Sequence, residues 1–400
     1  MTGSALSVGV HPDSSTAPAP RCEPTLGVVL PDHANPVGDT GRMATPETTD
    51  ATATTSPEPP TRPRRRRWPW VLGVPVALVA TTALAVAVNP WPGTLAVRFV
   101  FDRGAEKVTT ALEKHAPGGV DSLTDQQYRG GDSDAFLDVY HPDRVAGTAD
   151  ALPTVIWTHG GAWVSGDKSN YATYYELIAS QGFTVISLGY SLGPGHTYPT
   201  AVNQLNDAHA YVVANAERLH VDPNRIVLAG DSAGAQLSSQ LATLVTNPDY
   251  ARDLGITPSL RPEQLRGVVL NCGIYDVNRM VGGSGIVGWG ADESIWAYTG
   301  TKDFAGSTAV QQMSTLHHVS DRFPPAYIAG GNGDPLTDKQ SKPLAEKLGG
   351  LGVDVTTVFY PADHEPALPH EYQFDLDNED GTRALERTVE FLKAHTAPQL

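Results

Sequence analysis

The chain has 400 residues, 40% apolar and 18% charged, which is enough apolar material for a large buried core and excludes disorder of the whole chain. The net charge of −16 argues against a nucleic-acid-binding protein, because binding phosphates requires a basic surface. The two cysteines, Cys22 and Cys272, exclude a disulfide-stabilised scaffold and a four-cysteine metal site.

The first segment, residues 1–67, is predicted to be a disordered cytoplasmic tail. Its first 60 residues are rich in Ala, Thr, Pro and Ser and show no hydrophobic period, so they cannot bury enough apolar surface to offset their chain entropy. The tail ends in a basic cluster formed by Arg62 and the four arginines at 64–67.

The next segment, residues 68–92, is predicted to be a single transmembrane anchor. Residues 71–88 form an almost continuous apolar run, and a helix of that length reaches roughly 27 Å, about one bilayer core. Tryptophans lie at both ends, at Trp68, Trp70 and Trp91, where aromatic side chains anchor to membrane interfaces. Because basic flanks stay in the cytoplasm, the following chain is predicted to be extracytoplasmic, attached to the cell membrane.

A cleavable signal peptide is the alternative to a retained anchor. The Ala-Val-Ala sequence at 85–87 resembles a small-residue cleavage site, and a start at Met43 would shorten the leader. The protein would then be secreted, whereas a retained anchor makes the membrane a binding partner.

The rest of the chain divides into a predicted helical connector, 93–130, and a catalytic domain, 131–400. Apolar runs typical of strands alternate there with helical spacing. Predicted strands are 135–140, 154–157, 183–188, 225–229, 267–270, 326–329 and 355–359, and predicted helices include 201–219, 233–245 and 384–395. Continuous apolar strands separated by helices predict an α/β fold, with a mostly parallel sheet covered on both faces.

Two segments match the G-x-S-x-G pattern of a nucleophile elbow, 189–193 and 230–234. An elbow is a sharp turn from a strand into a helix. Ser232 follows a strand and enters a helical pattern, whereas Ser191 runs into Gly-Pro-Gly, which cannot begin a helix at once. Ser232 is therefore the predicted nucleophile and Ser191 a structural residue.

A glycine-rich loop, His-Gly-Gly-Ala-Trp at 159–163, follows another predicted strand. Such a loop can direct main-chain N–H groups into a cavity, where they would stabilise the oxyanion formed when a serine attacks a carbonyl.

A nucleophilic serine needs a base, and the base needs an acid that orients it. Asp334 follows the penultimate strand and is the predicted acid, with Asp276 as the fallback. Two histidines follow the last strand, and His370 is preferred over His364 because it lies nearer the closing helix, after an apolar segment. We expect no metal and no nucleotide cofactor, since there is no H-E-x-x-H motif, cysteine pair or phosphate loop.

Together these motifs resemble the α/β-hydrolase fold, over about residues 131–395. The resemblance is to the esterase/lipase group related to hormone-sensitive lipase and to the BD-FAE-like esterases. It implies Ser232 as nucleophile, Asp334 as acid and a late histidine as base. It also implies oxyanion donors, which are the N–H groups of Gly160, Gly161 and Ala233. The chain departs from the family pattern at Ala162, where the oxyanion loop often has a third glycine.

A long insert separates the predicted strand that ends near Tyr275 from the one that begins after Phe323. It contains Trp289, Trp296 and Tyr298 and is predicted to form a cap over the carboxyl edge of the sheet. These aromatic residues either line a substrate pocket or pack the cap on the domain.

The predicted function is a serine hydrolase that cleaves small carboxylic esters through an acyl-enzyme. An amide-cleaving hydrolase with the same triad is the alternative, which rates on matched ester and amide substrates would distinguish. A non-catalytic binding module would instead fail to react with a fluorophosphonate at Ser232.

Overall fold

The computed structural model describes residues 68–398 of the chain. The predicted tail at 1–67, including the basic cluster and Cys22, lies outside the described residues.

Eight strands form one sheet: β1 Val120–Gln127, β2 Phe136–Pro142, β3 Leu152–Thr158, β4 Thr184–Leu188, β5 Val221–Asp231, β6 Leu265–Asn271, β7 Ala326–Gly330 and β8 Val355–Phe359. Their order across the sheet is β1-β2-β4-β3-β5-β6-β7-β8. The β1–β2 and β2–β4 pairs are antiparallel, and all other neighbours are parallel. The mostly parallel sheet is thus confirmed, with its carboxyl ends along one edge.

Ten α-helices accompany the sheet in the described part of the chain. They are α1 Trp68–Val88, α2 Trp91–Leu112, α3 Ala172–Ser180, α4 Thr200–Ala214, α5 Ser232–Thr246, α6 Pro248–Leu254, α7 Gly285–Thr299, α8 Thr308–Met313, α9 Lys342–Gly350 and α10 Glu379–Thr396. The insert between β6 and β7, where a cap was predicted, contains α7 and α8.

Successive side chains of a strand point to opposite faces of the sheet, so both faces are apolar here and helices cover both. Val155 and Trp157 of β3 lie in one buried cluster with side chains of α3 and α10. Ile156, between them, lies in the other cluster, with side chains of α4, α5 and α9. The core therefore consists of two apolar layers, one on each side of the sheet.

The predicted connector at 93–130 is only partly helical. The helix α2 ends at Leu112, and β1 follows at Val120–Gln127 and pairs with β2. The sequence of β1, VDSLTDQQ, is mostly polar because this edge strand is largely exposed, so it lacks the apolar run that marks the other strands. The sheet consequently begins before residue 131.

The predicted membrane anchor at 68–92 corresponds to α1 and the first residues of α2. No single described helix has both the length and the apolar character needed to cross a bilayer; Val74–Val88 and Trp91–His115 meet that requirement only as a pair, bent by 79°. The anchor at 68–92 therefore stays a prediction.

The helix α2 is docked beside the glycine-rich loop. The Arg98 guanidinium donates hydrogen bonds to the carbonyl oxygens of Val164 and Gly193, the latter at 2.8 Å. Val97 is buried against Val164 and Ala297 of α7. The helix thus supports the segment that follows the glycines.

Candidate active site

The predicted nucleophile elbow is present. Ser232 is the first residue of α5 and directly follows Asp231, the last residue of β5, and its φ of +50° is left-handed. A Cβ at Gly234 would lie 2.0 Å from the carbonyl oxygen of Thr158, so only glycine lets α5 approach β3 this closely. The strand-turn-helix context predicted for Ser232 is therefore confirmed.

Three of the predicted site residues meet at the carboxyl edge of the sheet. The Ser232 hydroxyl lies 3.0 Å from Nε2 of His370, so it can donate a hydrogen bond to that nitrogen. On the other side of the ring, Nδ1 lies 2.7 Å from Oδ2 of Asp334 and can donate to it. Asp334 is buried and its Oδ1 accepts a bond from the N–H of Leu336, so the carboxylate is held in place.

The fallback residues lie elsewhere. Nε2 of His364 is 2.7 Å from Oδ2 of Asp380, at the start of α10. The Asp276 carboxylate pairs with Arg279 at 3.0 Å and with His317 at 3.3 Å. Neither arrangement brings a second base or acid to Ser232.

The second G-x-S-x-G serine is engaged in structural bonding. The Ser191 hydroxyl donates a 2.7 Å hydrogen bond to Asp134, and its N–H donates to the side chain of Gln204. This agrees with the structural assignment made from the sequence.

The glycine-rich loop differs from the prediction at one donor. The N–H of Gly160 donates a 2.8 Å hydrogen bond to Oδ2 of Asp231, so it is occupied, which contradicts the oxyanion role predicted for Gly160. The acceptor, Asp231, is the residue before Ser232 in the elbow motif, so the motif itself supplies the partner of this N–H. Gly161 and Ala162 follow with φ of +97° and +51°. The N–H of Ala233 is in the first turn of α5, where N–H groups have no intrahelical acceptor. The oxyanion roles of Gly161 and Ala233 remain predictions.

Charges near the imidazole shift its protonation. Burial lowers the pKa of His370, but the Cys272 sulfur, the hydrogen bond to Asp334 and the Glu371 carboxylate raise it, and the net shift is upward from the usual 6.5. Burial also raises the pKa of the Cys272 thiol, which therefore carries no charge at neutral pH. Asp334 and Glu371 are then the charges that favour the imidazolium.

Cys272 adds a third kind of donor atom to the site. Its sulfur, a carboxylate oxygen of Asp334 and a ring nitrogen of His370 lie within 4.8 Å of one another, a set that could hold a metal ion. Both nitrogens of His370 are engaged by Asp334 and Ser232, so a metal here would replace those hydrogen bonds.

Part of the predicted cap reaches the site. Tyr298 of α7 stacks on Trp163, the last residue of the glycine-rich loop, with ring centroids 5.5 Å apart and planes 11° apart. Trp296 is also buried, whereas Trp289 is 40% exposed. The cap aromatics thus do not all face the same environment, and Tyr298 is the one that contacts the loop.

Sequence reasoning missed Glu371 and the position of Cys272. A carboxylate oxygen of Glu371 lies 3.8 Å from Nε2 of His370. The sequence did offer one signal for Glu371, which is its position directly after the predicted base, His370. Cys272 was considered only for a disulfide scaffold and a cysteine metal site, although it comes directly after β6, at the edge where the other site residues cluster.

Comparison with known proteins agrees with this architecture. The BD-FAE family model matches residues 137–348, more than half of the chain. Carboxylesterase NlhH of Mycobacterium tuberculosis is 29% identical over 262 residues, covering 64% of this chain and 73% of NlhH. A putative alpha/beta hydrolase, R526 of Acanthamoeba polyphaga mimivirus, is 27% identical over 224 residues, covering 54% of this chain and 61% of its own length.

The structure of esterase B from Lactobacillus rhamnosis, inhibited by a tributyrin phosphonate, superposes with a TM-score of 0.66 at 21% identity. It covers 77% of this chain and 97% of that one, which shows a shared fold. The fold and the relatives together place the protein among the carboxylesterase-type α/β-hydrolases. Within that class, the chain belongs to the BD-FAE family.

Proposed function

We propose that the protein hydrolyses carboxylic esters through an acyl-enzyme formed on Ser232. The observation that carries this proposal is the hydrogen-bonded series from Ser232 through His370 to Asp334, with distances of 3.0 and 2.7 Å. The relatives named as esterases support an ester substrate.

In this mechanism the hydroxyl oxygen of Ser232 attacks the ester carbonyl carbon while Nε2 of His370 takes the hydroxyl proton. Asp334 stabilises the resulting imidazolium through Nδ1. The imidazolium then gives the proton to the leaving alcohol, and the C–O bond of the ester breaks. Water, activated by the same histidine, attacks the acyl-Ser232 bond and releases the acid.

The oxyanion of the tetrahedral intermediate needs donors close to Ser232. We propose the N–H groups of Gly161 and Ala233, because the N–H of Gly160 is bonded to Asp231. One such donor is typically worth about 3 kcal/mol of transition-state stabilisation. The Gly160 N–H instead holds the loop against the elbow.

The test is Ser232→Ala in the full-length chain, with Ser191→Ala as the matched control from the second motif. Turnover of a short p-nitrophenyl ester should fall by about 10⁴-fold or more in Ser232→Ala. A fluorophosphonate probe should bond to the Ser232 oxygen of the parent and of Ser191→Ala, with loss of fluoride. Labelling or full turnover by a folded Ser232→Ala variant would defeat the proposal.

We further propose that residues 68–92 hold the protein in the cell membrane, with the tail cytoplasmic and the catalytic domain outside. The run at 71–88 preceded by arginines supports this topology. Exposed apolar side chains also continue beyond the run. They are Leu95 and Phe99 on α2, each more than half exposed, and Ile286 and Val287 at the start of α7.

Two measurements on cells that express the full chain test the membrane proposal. Alkaline carbonate should leave the protein in the membrane fraction, and external protease should digest the catalytic domain of intact cells but not a tag on residue 1. A mature protein in the medium that begins after residue 87 would show signal cleavage instead and overturn the anchor.

A further inference from the structure

Two carboxyl side chains, one from the end of β5 and one from the loop after β8, meet beside Gly160 of the glycine-rich loop. Asp231 ends β5, directly before Ser232, and Glu371 directly follows His370. A Cβ built on Gly160 would lie 2.3 Å from Oδ2 of Asp231 and 3.2 Å from Oε1 of Glu371, so both carboxyls crowd the same glycine. Asp231 therefore directly precedes the proposed nucleophile, and Glu371 directly follows the proposed base.

Each carboxyl accepts hydrogen bonds from neutral donors. Asp231 accepts from the indole N–H of Trp157 and from the N–H of Gly160, both at 2.8 Å. Glu371 accepts from the Tyr171 hydroxyl at 3.2 Å. Over residues 68–398, neither carboxyl forms an ion pair with a lysine or an arginine. The one nearby group that can be positively charged is His370, whose Nε2 lies 3.8 Å from Glu371, and Asp231 has no such partner among the described residues.

Asp231 is fully buried and Glu371 is 23% exposed, and two ionised carboxylates that meet at one glycine in such a site repel each other. Burial and then the charge of Glu371 raise the pKa of Asp231 well above its usual range, and the bonds from Trp157 and Gly160 lower it less. A proton on Asp231 removes the repulsion, and the protonated carboxyl can donate a hydrogen bond to Glu371.

We propose that Asp231 and Glu371 share one proton, and that this pair is a positioning element holding the loop that carries His370 against the elbow and the oxyanion loop. The inference rests on the proposed function, because it assigns roles relative to Ser232 and His370. Glu371 is a positioning residue that acts through His370 and the oxyanion loop, without contacting the reacting atoms.

The geometry of Glu371 favours this role. Its backbone is left-handed, with φ of +61°, a conformation that costs a non-glycine residue free energy and is kept where surrounding contacts compensate. Tyr171, its hydroxyl partner, is held by stacking on Phe374, with ring centroids 3.9 Å apart. The carboxylate is thus fixed between a rigid aromatic pair and Asp231.

The pair also sets the charge beside the base. With the proton on Asp231, the negative charge of the pair resides on Glu371, 3.8 Å from Nε2 of His370, where it favours the imidazolium. The titratable groups that face Glu371 from the elements around it are Asp231, His370, Cys272, Tyr171 and Tyr175.

The experiment compares Glu371→Gln and Glu371→Ala with Asp363→Asn, which alters an exposed carboxylate in the same loop. In Glu371→Gln the amide can still donate to Asp231, but the carboxylate charge 3.8 Å from Nε2 of His370 is lost. The acid limb of the kcat/KM profile for a soluble ester should therefore move down by about half a pH unit or more. The kcat on the plateau should stay within about threefold of the parent.

Glu371→Ala removes both the charge and the hydrogen bond to Asp231. Its plateau kcat should fall about tenfold or more, with KM changed much less, because the base is no longer held in register with Ser232. Asp363→Asn should keep the parent profile.

An acid limb that does not move in Glu371→Gln overturns the proposal, whatever Glu371→Ala does. This variant keeps the shape of the side chain, so the test does not depend on whether Glu371→Ala folds. If the parent enzyme itself fails to turn over esters, the proposed function fails, which is a different result from an unshifted profile in an active enzyme.

Discussion

Nδ1 of His370 lies 2.7 Å from Oδ2 of Asp334, and this contact joins the loop after β8 to the loop after β7. With Nδ1 donating to a buried carboxylate, Nε2 is left as the acceptor that faces Ser232 at 3.0 Å. The tautomer required of a general base therefore follows from the position of Asp334.

This relationship predicts a sharp difference between the two late histidines. His370→Ala should lower kcat by about 10⁴-fold or more, because the Ser232 hydroxyl loses its proton acceptor. His364→Ala should leave kcat/KM within a few-fold and cost about 1 kcal/mol of stability, since it removes one hydrogen bond to Asp380. Steady-state kinetics and thermal melts of both variants check this. Near-normal activity in His370→Ala would reassign the base.

The pH dependence follows from the direction of the His370 shift. Only the neutral imidazole can take the Ser232 proton, so kcat/KM should rise as the pH rises through the pKa of His370. Because that pKa lies above 6.5, activity should be incomplete at pH 6.5 and still increasing at higher pH. The profile should be measured together with thermal melts at each pH. A stable enzyme that is fully active below pH 6.5 would contradict the assignment.

The main elements of the sheet could be predicted because buried parallel strands carry continuous apolar runs. The segment at 225–229 lies inside β5, and the elbow followed from the pattern around Ser232. The strand β1 could not be found this way, since its exposed side chains leave no apolar period and its pairing to β2 is non-local.

The site was predictable in its residue types and less so in its hydrogen bonds. Chain order and motif context selected Ser232, Asp334 and His370, which the fold brings together. The occupation of the Gly160 N–H by Asp231 depends on how a side chain packs under a loop, which motif spacing does not report. The same holds for Glu371, whose proposed effect depends on its contact with Asp231, at the end of β5.

The oxyanion loop gives a prediction with a matched glycine control. In Gly161→Ala, the added Cβ would lie 2.2 Å from the carbonyl oxygen of Ser165, at a φ of +97°. The loop must shift, and kcat should fall about 10²-fold or more, because a main-chain donor moves away from the oxyanion.

Gly147→Ala is the control. It places a Cβ in open space at a φ of +72°, so it tests backbone strain without a clash. It should lower the melting temperature slightly and leave kcat unchanged. Equal kcat in the two variants would remove Gly161 from the oxyanion site.

The buried carboxyl of Asp231 predicts a characteristic dependence of stability on pH. Its pKa is raised in the folded protein, chiefly by burial and by the charge of Glu371, so the folded state binds a proton that the unfolded state releases. The stabilisation linked to that proton is complete below the unfolded pKa near 3.8 and is lost as the pH rises through the folded pKa.

The side chain at position 231 cannot ionise in Asp231→Asn. The melting temperature of this variant minus that of the parent should therefore increase as the pH is raised from about 4 to about 8. Melts of the full-length chain in detergent check this, with Asp363→Asn as the exposed control, whose difference from the parent should stay nearly constant. A constant difference for Asp231→Asn as well would mean that Asp231 is ionised in the folded protein throughout this range.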